Sequence, residues 1–118
     1  MPYQLQTAPF IVPTTDGKLI EEHAGYTTGS SHISIARMEA PPGWGEPFQQ
    51  PEFDEYTLVS SGKKLIEVDG ESIILQAGQS ILIKGGTRVR YSNPFHEACG
   101  YWSVCIPAFS MDTVHREA

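Results

Sequence analysis

Gly43-Trp44-Gly45-Glu46-Pro47-Phe48-Gln49-Gln50-Pro51-Glu52-Phe53-Asp54-Glu55, running on to Gly62, is the stretch on which the fold turns. Pro41-Pro42-Gly43 opens it by breaking what comes before. That preceding segment, Ser31 to Met38, alternates cleanly, with Ile33 and Ile35 on one face and His32, Ser34 and Ala36 on the other, and reads as a strand. Beyond the stretch, Tyr56 to Val59 forms the next strand and Ser60-Ser61-Gly62 a turn. Lys64 to Val68 and Ser72 to Leu75 flank Asp69-Gly70, the composition of a tight β-hairpin. Gly78 precedes a strand at Ser80 to Ile83, Lys84-Gly85-Gly86 turns the chain, Arg88 to Ser92 runs extended, and Gly100 to Ile106 is a last strand ended by Pro107. Upstream, Pro2, Pro9 and Pro13 surround Phe10-Ile11-Val12, which suits an edge strand or an extended arm able to pair with another subunit. No segment before residue 110 sustains a 3.6-residue period. Strands that recur every ~8 to 12 residues predict an all-β sandwich or barrel.

At 118 residues the chain is expected to form one domain, spanning 1–118, with an arm and edge strands over 1–29, a barrel over 30–109 and a tail over 110–118. A net charge of −6, with the eight Lys and Arg dispersed, argues against nucleic acid or an anionic membrane as partner, because both select a basic patch. No apolar run approaches the ~20 residues that span a bilayer, and the N-terminus lacks a basic-then-apolar layout, so the cytoplasm is the expected compartment. Cys99 and Cys105 lie six residues apart on one extended segment, poorly placed to bridge each other, and read as buried thiols.

Two glycine-punctuated segments carry a resemblance. Gly43 to Gly62 and Gly78 to Asn93 resemble the two signature motifs of the cupin superfamily, G-x5-H-x-H-x3-4-E-x6-G and G-x5-P-x-G-x2-H-x3-N. Glu55, Gly62, Gly78, Gly86 and Asn93 stand at the family spacing, whereas the histidine positions fall on Phe48, Gln50 and Val89. The resemblance implies a double-stranded β-helix, or jelly-roll barrel, of the RmlC-like kind. It also implies a degenerate metal site: of three histidines and a glutamate only Glu55 remains, and Phe and Val offer no lone pair. No metal or other cofactor is expected. The alternative is a rearranged site from His32, Glu55 and Glu46 or His96.

On that alignment Phe48, Gln50, Glu55 and Val89 point into the barrel mouth, and strand alternation adds Thr57 and Tyr91. Lys18, after the Asp16-Gly17 turn, reaches the site only if the N-terminal segment folds over the mouth; otherwise it is a solvated lysine. His32 is kept because its strand face lines the barrel on this reading. An apolar pocket with one acid, one amide and one phenol suits a small polar organic molecule. A desolvated Glu55, assisted by Tyr91 and Gln50, suits proton transfer, hence a metal-independent lyase, dehydratase or isomerase. The same residues also suit a non-catalytic binding module. A metal-dependent enzyme such as a dioxygenase is the third possibility. The chain further resembles small metal-independent cupin dehydratases of nucleoside-antibiotic biosynthesis, through the aromatic and the amide at the first two ligand positions, Lys18, Tyr91 and Pro107-Ala108-Phe109. It departs from them at Trp44, where that group has its catalytic histidine, and at Thr57, where it has a pocket tyrosine. A looser similarity to ethanolamine-utilisation cupins lies in Phe53-Asp54-Glu55 and Ile83-Lys84-Gly85. Cupins commonly dimerise through their sheets, so a homodimer is expected.

Overall fold

The computed structural model describes residues 2–118. Nine strands follow in order: β1 Phe10–Ile11, β2 Leu19–Ala24, β3 Ser34–Ala40, β4 Asp54–Ser61, β5 Lys63–Val68, β6 Glu71–Gln76, β7 Ser80–Ile83, β8 Val89–Ser92 and β9 Cys99–Ile106. They form two antiparallel sheets, one of six strands in the order β1-β2-β3-β9-β4-β7 and one of three in the order β6-β5-β8. The helical content among the described residues is a 3-10 turn at Tyr26–Thr28 and one short helix, α1, at Met111–Val114, whose Ser110 hydroxyl accepts the Asp112 N–H. None of these helices is long and apolar enough to cross a membrane. The all-β expectation holds.

Period-two alternation explains which side chains go inside. Thr57 and Val59 of β4 are buried while Asp54, Tyr56 and Leu58 between them are exposed; on β9 Cys99, Tyr101, Ser103 and Cys105 are buried. On the smaller sheet Lys64 and Ile66 face inward from β5, Leu75 from β6, and Val89 and Tyr91 from β8. Ile66 and Val89 are completely buried, and each contributes about 1.5–3 kcal/mol of apolar burial. A separate small cluster of Phe53, Cys105 and Val114, with Phe109 packed against it, anchors the C-terminal segment to the barrel.

Two differences from the expected strands have local causes. The strand expected from Ser31 begins at Ser34, because the Ser30 hydroxyl donates to the Ile33 carbonyl at 2.8 Å and holds 30–33 in a turn. In addition, β2 lies between β1 and β3, although its Glu21-Glu22-His23 run hides the alternation that would mark it.

Motif residues act as fasteners. Gly62 adopts φ +72°, and a Cβ there would sit 2.4 Å from the Ala98 carbonyl oxygen, so the β4–β5 turn closes against backbone that only glycine admits. Asn93 is fully buried, and its amide donates to the carbonyls of Ala40, Pro41 and Glu97 while its oxygen accepts the Phe95 N–H. One side chain thereby ties the end of β3 to the loop after β8.

Candidate functional site

Between the sheets lies a cavity of about 90 Å³. Strand β4 brings Glu55 to it, β5 Lys64, β8 Tyr91, and β9 Tyr101, Ser103 and Cys105; Ser34, Ala36 and Met38 of β3 form the opposite wall. A wider cleft of about 370 Å³ shares Val12, Lys18, Glu46, Phe109 and Arg116 with the cavity, which makes these residues its neck. At the neck the Glu46 carboxylate is held between Lys18 at 3.8 Å and Arg116 at 3.4 Å. A larger open groove of about 630 Å³ at the β5–β6 turn is bounded by Phe48, Asp69, Glu71 and Arg88; it lies apart from these converging groups.

Glu55 is half-buried and lines the cavity. Burial raises its pKa, and the Ser103 hydroxyl, donating at 2.5 Å, and the Lys64 charge pull back only in part. Lys64 is buried at 3% exposure. Burial pushes its pKa down from 10.5 to about 7 despite the opposing pull of Glu55. Among the described residues no carboxylate reaches ion-pair distance of this ammonium, which instead faces Tyr101, Tyr91 and Trp44 at 3.2, 4.7 and 5.9 Å from their ring centroids. Tyr91 has a buried hydroxyl that makes no close hydrogen bond but lies beside the Glu55 carboxyl, and burial together with that carboxyl holds its pKa well above 10. Lys18 is also lowered by burial, with Glu46 opposing the shift. Burial pushes the Cys105 thiol up, so it stays protonated.

The expected site residues divide into three groups. Glu55, Tyr91 and Lys18 do line the cavity, and Lys18 is a buried residue of the neck rather than a solvated one. Thr57 and Val89 face inward, fully buried in the packing around the cavity; the Thr57 hydroxyl is unpartnered. Phe48, Gln50 and His32 face elsewhere, contrary to the expected placement. Phe48 stacks on the Arg88 guanidinium at 3.8 Å, and Gln50 is exposed and donates to the Gly86 carbonyl at 2.9 Å. His32 is exposed in the turn before β3, although its strand face does line the cavity through Ser34 and Ala36. The slip at 48 and 50 has a backbone cause: Gln49 exchanges both hydrogen bonds with Val89, which turns Gln49 inward and its neighbours out. Sequence reasoning missed Lys64, Gln49, Ser103 and Arg116, and named Glu46 only as a possible metal ligand. For Lys64 the signal was available, since alternation with the buried Ile66 puts residue 64 on the inner face.

Comparison with known proteins settles the family. The family model described as a cupin domain matches residues 36–106, more than half of the chain. The chain belongs to the cupin family. Among solved structures, this cupin superposes on an RmlC-like cupin from Shewanella frigidimarina NCIMB 400 with a TM-score of 0.75, at 14% identity and 92% coverage of both chains. The Clostridium difficile EutQ protein gives a TM-score of 0.61 at 20% identity, covering 79% of this chain and 70% of that one. Such likenesses concern the fold. A curated relative, endoribonuclease YbeY of Myxococcus xanthus (strain DK1622), is 48% identical over 108 residues, 91% of this chain and 37% of that protein. The cupin therefore spans little more than a third of that relative's length.

The metal that the cupin motifs imply does not fit these residues. Among the described residues no three His, Cys, Asp or Glu side chains stand together as a ligand set. The cavity's carboxylates share their space with the buried cations Lys18 and Lys64, whose charge opposes a further cation. His32 and His96 are both exposed, so the rearranged site does not assemble.

Proposed function

We propose that this cupin binds a small polar organic molecule in the inner cavity and moves a proton on it with Glu55, without a metal, as a lyase, dehydratase or isomerase does. The observation that carries the reading is the Glu55 carboxyl: it faces an enclosed cavity, burial raises its pKa, and the Tyr91 hydroxyl stands beside it. Ser103 orients the carboxyl by donating to one of its oxygens, which leaves the other for substrate. An acid or base positioned in this way needs no redox centre.

The test is hydrogen exchange. Small 2-hydroxy and 2-oxo compounds incubated with the protein in heavy water are expected to exchange their carbon-bound α-hydrogen faster than in buffer, as followed by proton NMR. Glu55→Gln is expected to reduce the protein-dependent exchange at least tenfold while leaving binding in place. Binding without exchange across such a panel would reject catalysis in favour of a second reading, a non-catalytic binding module. That reading is favoured by the Myxococcus relative, in which the matching segment is one part of a longer protein.

We also propose a homodimer built on the outer face of the larger sheet. Strand register aligns Ile35, Val104, Tyr56 and Leu82 in one row across β3, β9, β4 and β7, an apolar stripe on the side opposite the cavity. A second copy of the same stripe is its natural cover.

A further inference from the structure

We infer that the inner cavity is an anion site for the carboxylate group of a small organic acid, with Lys64 as the counter-ion and Tyr91 as a hydrogen-bond donor. This rests on reading the cavity as a small-molecule site and names the ligand class. Three observations converge.

The first is charge. Glu46 is occupied by Lys18 and Arg116 at the neck, whereas the Lys64 ammonium has no carboxylate at ion-pair distance among the described residues. A buried ammonium without a counter-charge is costly, and an incoming carboxylate removes that cost. The surrounding rings of Tyr101, Tyr91 and Trp44 favour the cation without neutralising it.

The second is donor geometry. Lys64 brings ammonium hydrogens and Tyr91 a buried O–H, and both face the cavity. Donors gathered on one small space call for acceptor oxygens, and a carboxylate offers two with about four lone-pair sites. The third is size. About 90 Å³ is space for several waters, and so for a small organic acid.

The inference has a signature that packing alone would not produce. Lys64 is faced by Glu55 from β4, Tyr91 from β8, Cys99 and Tyr101 from β9, and Lys18 and Glu46 from the neck. With its pKa near 7, most of it is neutral at about pH 8, and an anion that needs the ammonium must draw a proton from solvent on binding.

The experiment is titration calorimetry at about pH 8 in buffers of different ionisation enthalpy, using acetate, glycolate and glyoxylate against the neutral probes acetamide and glycolamide. The expected result is that a carboxylate binds at least tenfold more tightly than its amide and takes up about one proton. Lys64→Arg, whose guanidinium is always charged, is expected to abolish the uptake. Equal binding of acids and amides, or acid binding with no proton uptake by the wild-type protein, overturns the inference and leaves the cavity a site for neutral molecules. Failure of all five probes to bind overturns both this inference and the small-molecule reading beneath it. The uptake measurement on the wild-type protein stands even where a Lys64 variant does not fold.

Discussion

Lys64 is the residue at which stability and function pull against each other. In the unfolded chain its amine holds a proton up to the ordinary lysine range near 10.5, whereas in the fold it does so only up to about 7. Between those values the unfolded state binds more protons, so stability rises with pH across that window. The penalty of burying the charge is present in full below about pH 7 and has vanished above about pH 10.5. Lys64→Met is therefore expected to stabilise the protein by about 1–3 kcal/mol near pH 6 and to lose most of that gain near pH 10. Chemical denaturation of both proteins at the two pH values checks this. A gain of equal size at both would show that packing, and not the charge, sets the effect. Why the residue escaped the sequence reading is equally physical. Lys63-Lys64 looks like a solvated pair, and only the place of Lys64 opposite Leu75 of β6, with its ammonium over the rings of Tyr91 and Tyr101, shows that one of the two is enclosed. Glu55 and Tyr91 were legible because motif spacing and alternation agree on them. Phe48 and Gln50 were misplaced because the prolines at 47 and 51 interrupt the period, and with no metal ligand there to pin the register, the Gln49–Val89 backbone pair decides which side chain turns in.

At the level of elements, the turns are where single changes matter most. Gly62 and Gly78 both have positive φ, +72° and +88°, but a Cβ at Gly62 would collide with the Ala98 carbonyl, whereas at Gly78 there is open space. Gly78→Ala is expected to cost about 1 kcal/mol, the backbone preference alone. Gly62→Ala is expected to cost at least ~2 kcal/mol more, because β4 and the 98–99 backbone must separate. Equal midpoint shifts for the two variants in urea unfolding would remove the close-approach argument. The strands themselves were largely readable: β6 through β9 fall within a residue or two of their expected bounds, and Asp69-Gly70 takes left-handed φ values of 51° and 73° as an I′-type hairpin turn requires. The strand β2 was not, since acids stand on both of its faces, Glu21 beside Arg37 and Glu22 toward the cavity, and blur the alternation that burial would otherwise impose.

For the whole molecule, the distribution of apolar surface is the informative quantity. On the outer face of the larger sheet Tyr56 of the row from Ile35 to Leu82 and its neighbour Leu58 are each 42% exposed and Leu82 is 36% exposed, while the other face is already covered by the smaller sheet. Sedimentation at micromolar concentration is expected to show a dimer, and Tyr56→Asp with Leu82→Lys to shift it to a monomer with the barrel intact by circular dichroism. A wild-type monomer at that concentration would dismiss the stripe as an interface.

Strand β4 carries Glu55 and Thr57 on one side and Tyr56 and Leu58 on the other. The acid of the cavity and the proposed contact of a second copy are thus written in alternate letters of a single line. Inserting or deleting one residue within that line would exchange the two texts, delivering Tyr56 to the interior and Glu55 to the outside. The site can diversify by substitution at any of these positions, but a change of length has to be absorbed elsewhere. The irregular loop of residues 41–53 before the strand can take it up without turning the molecule inside out.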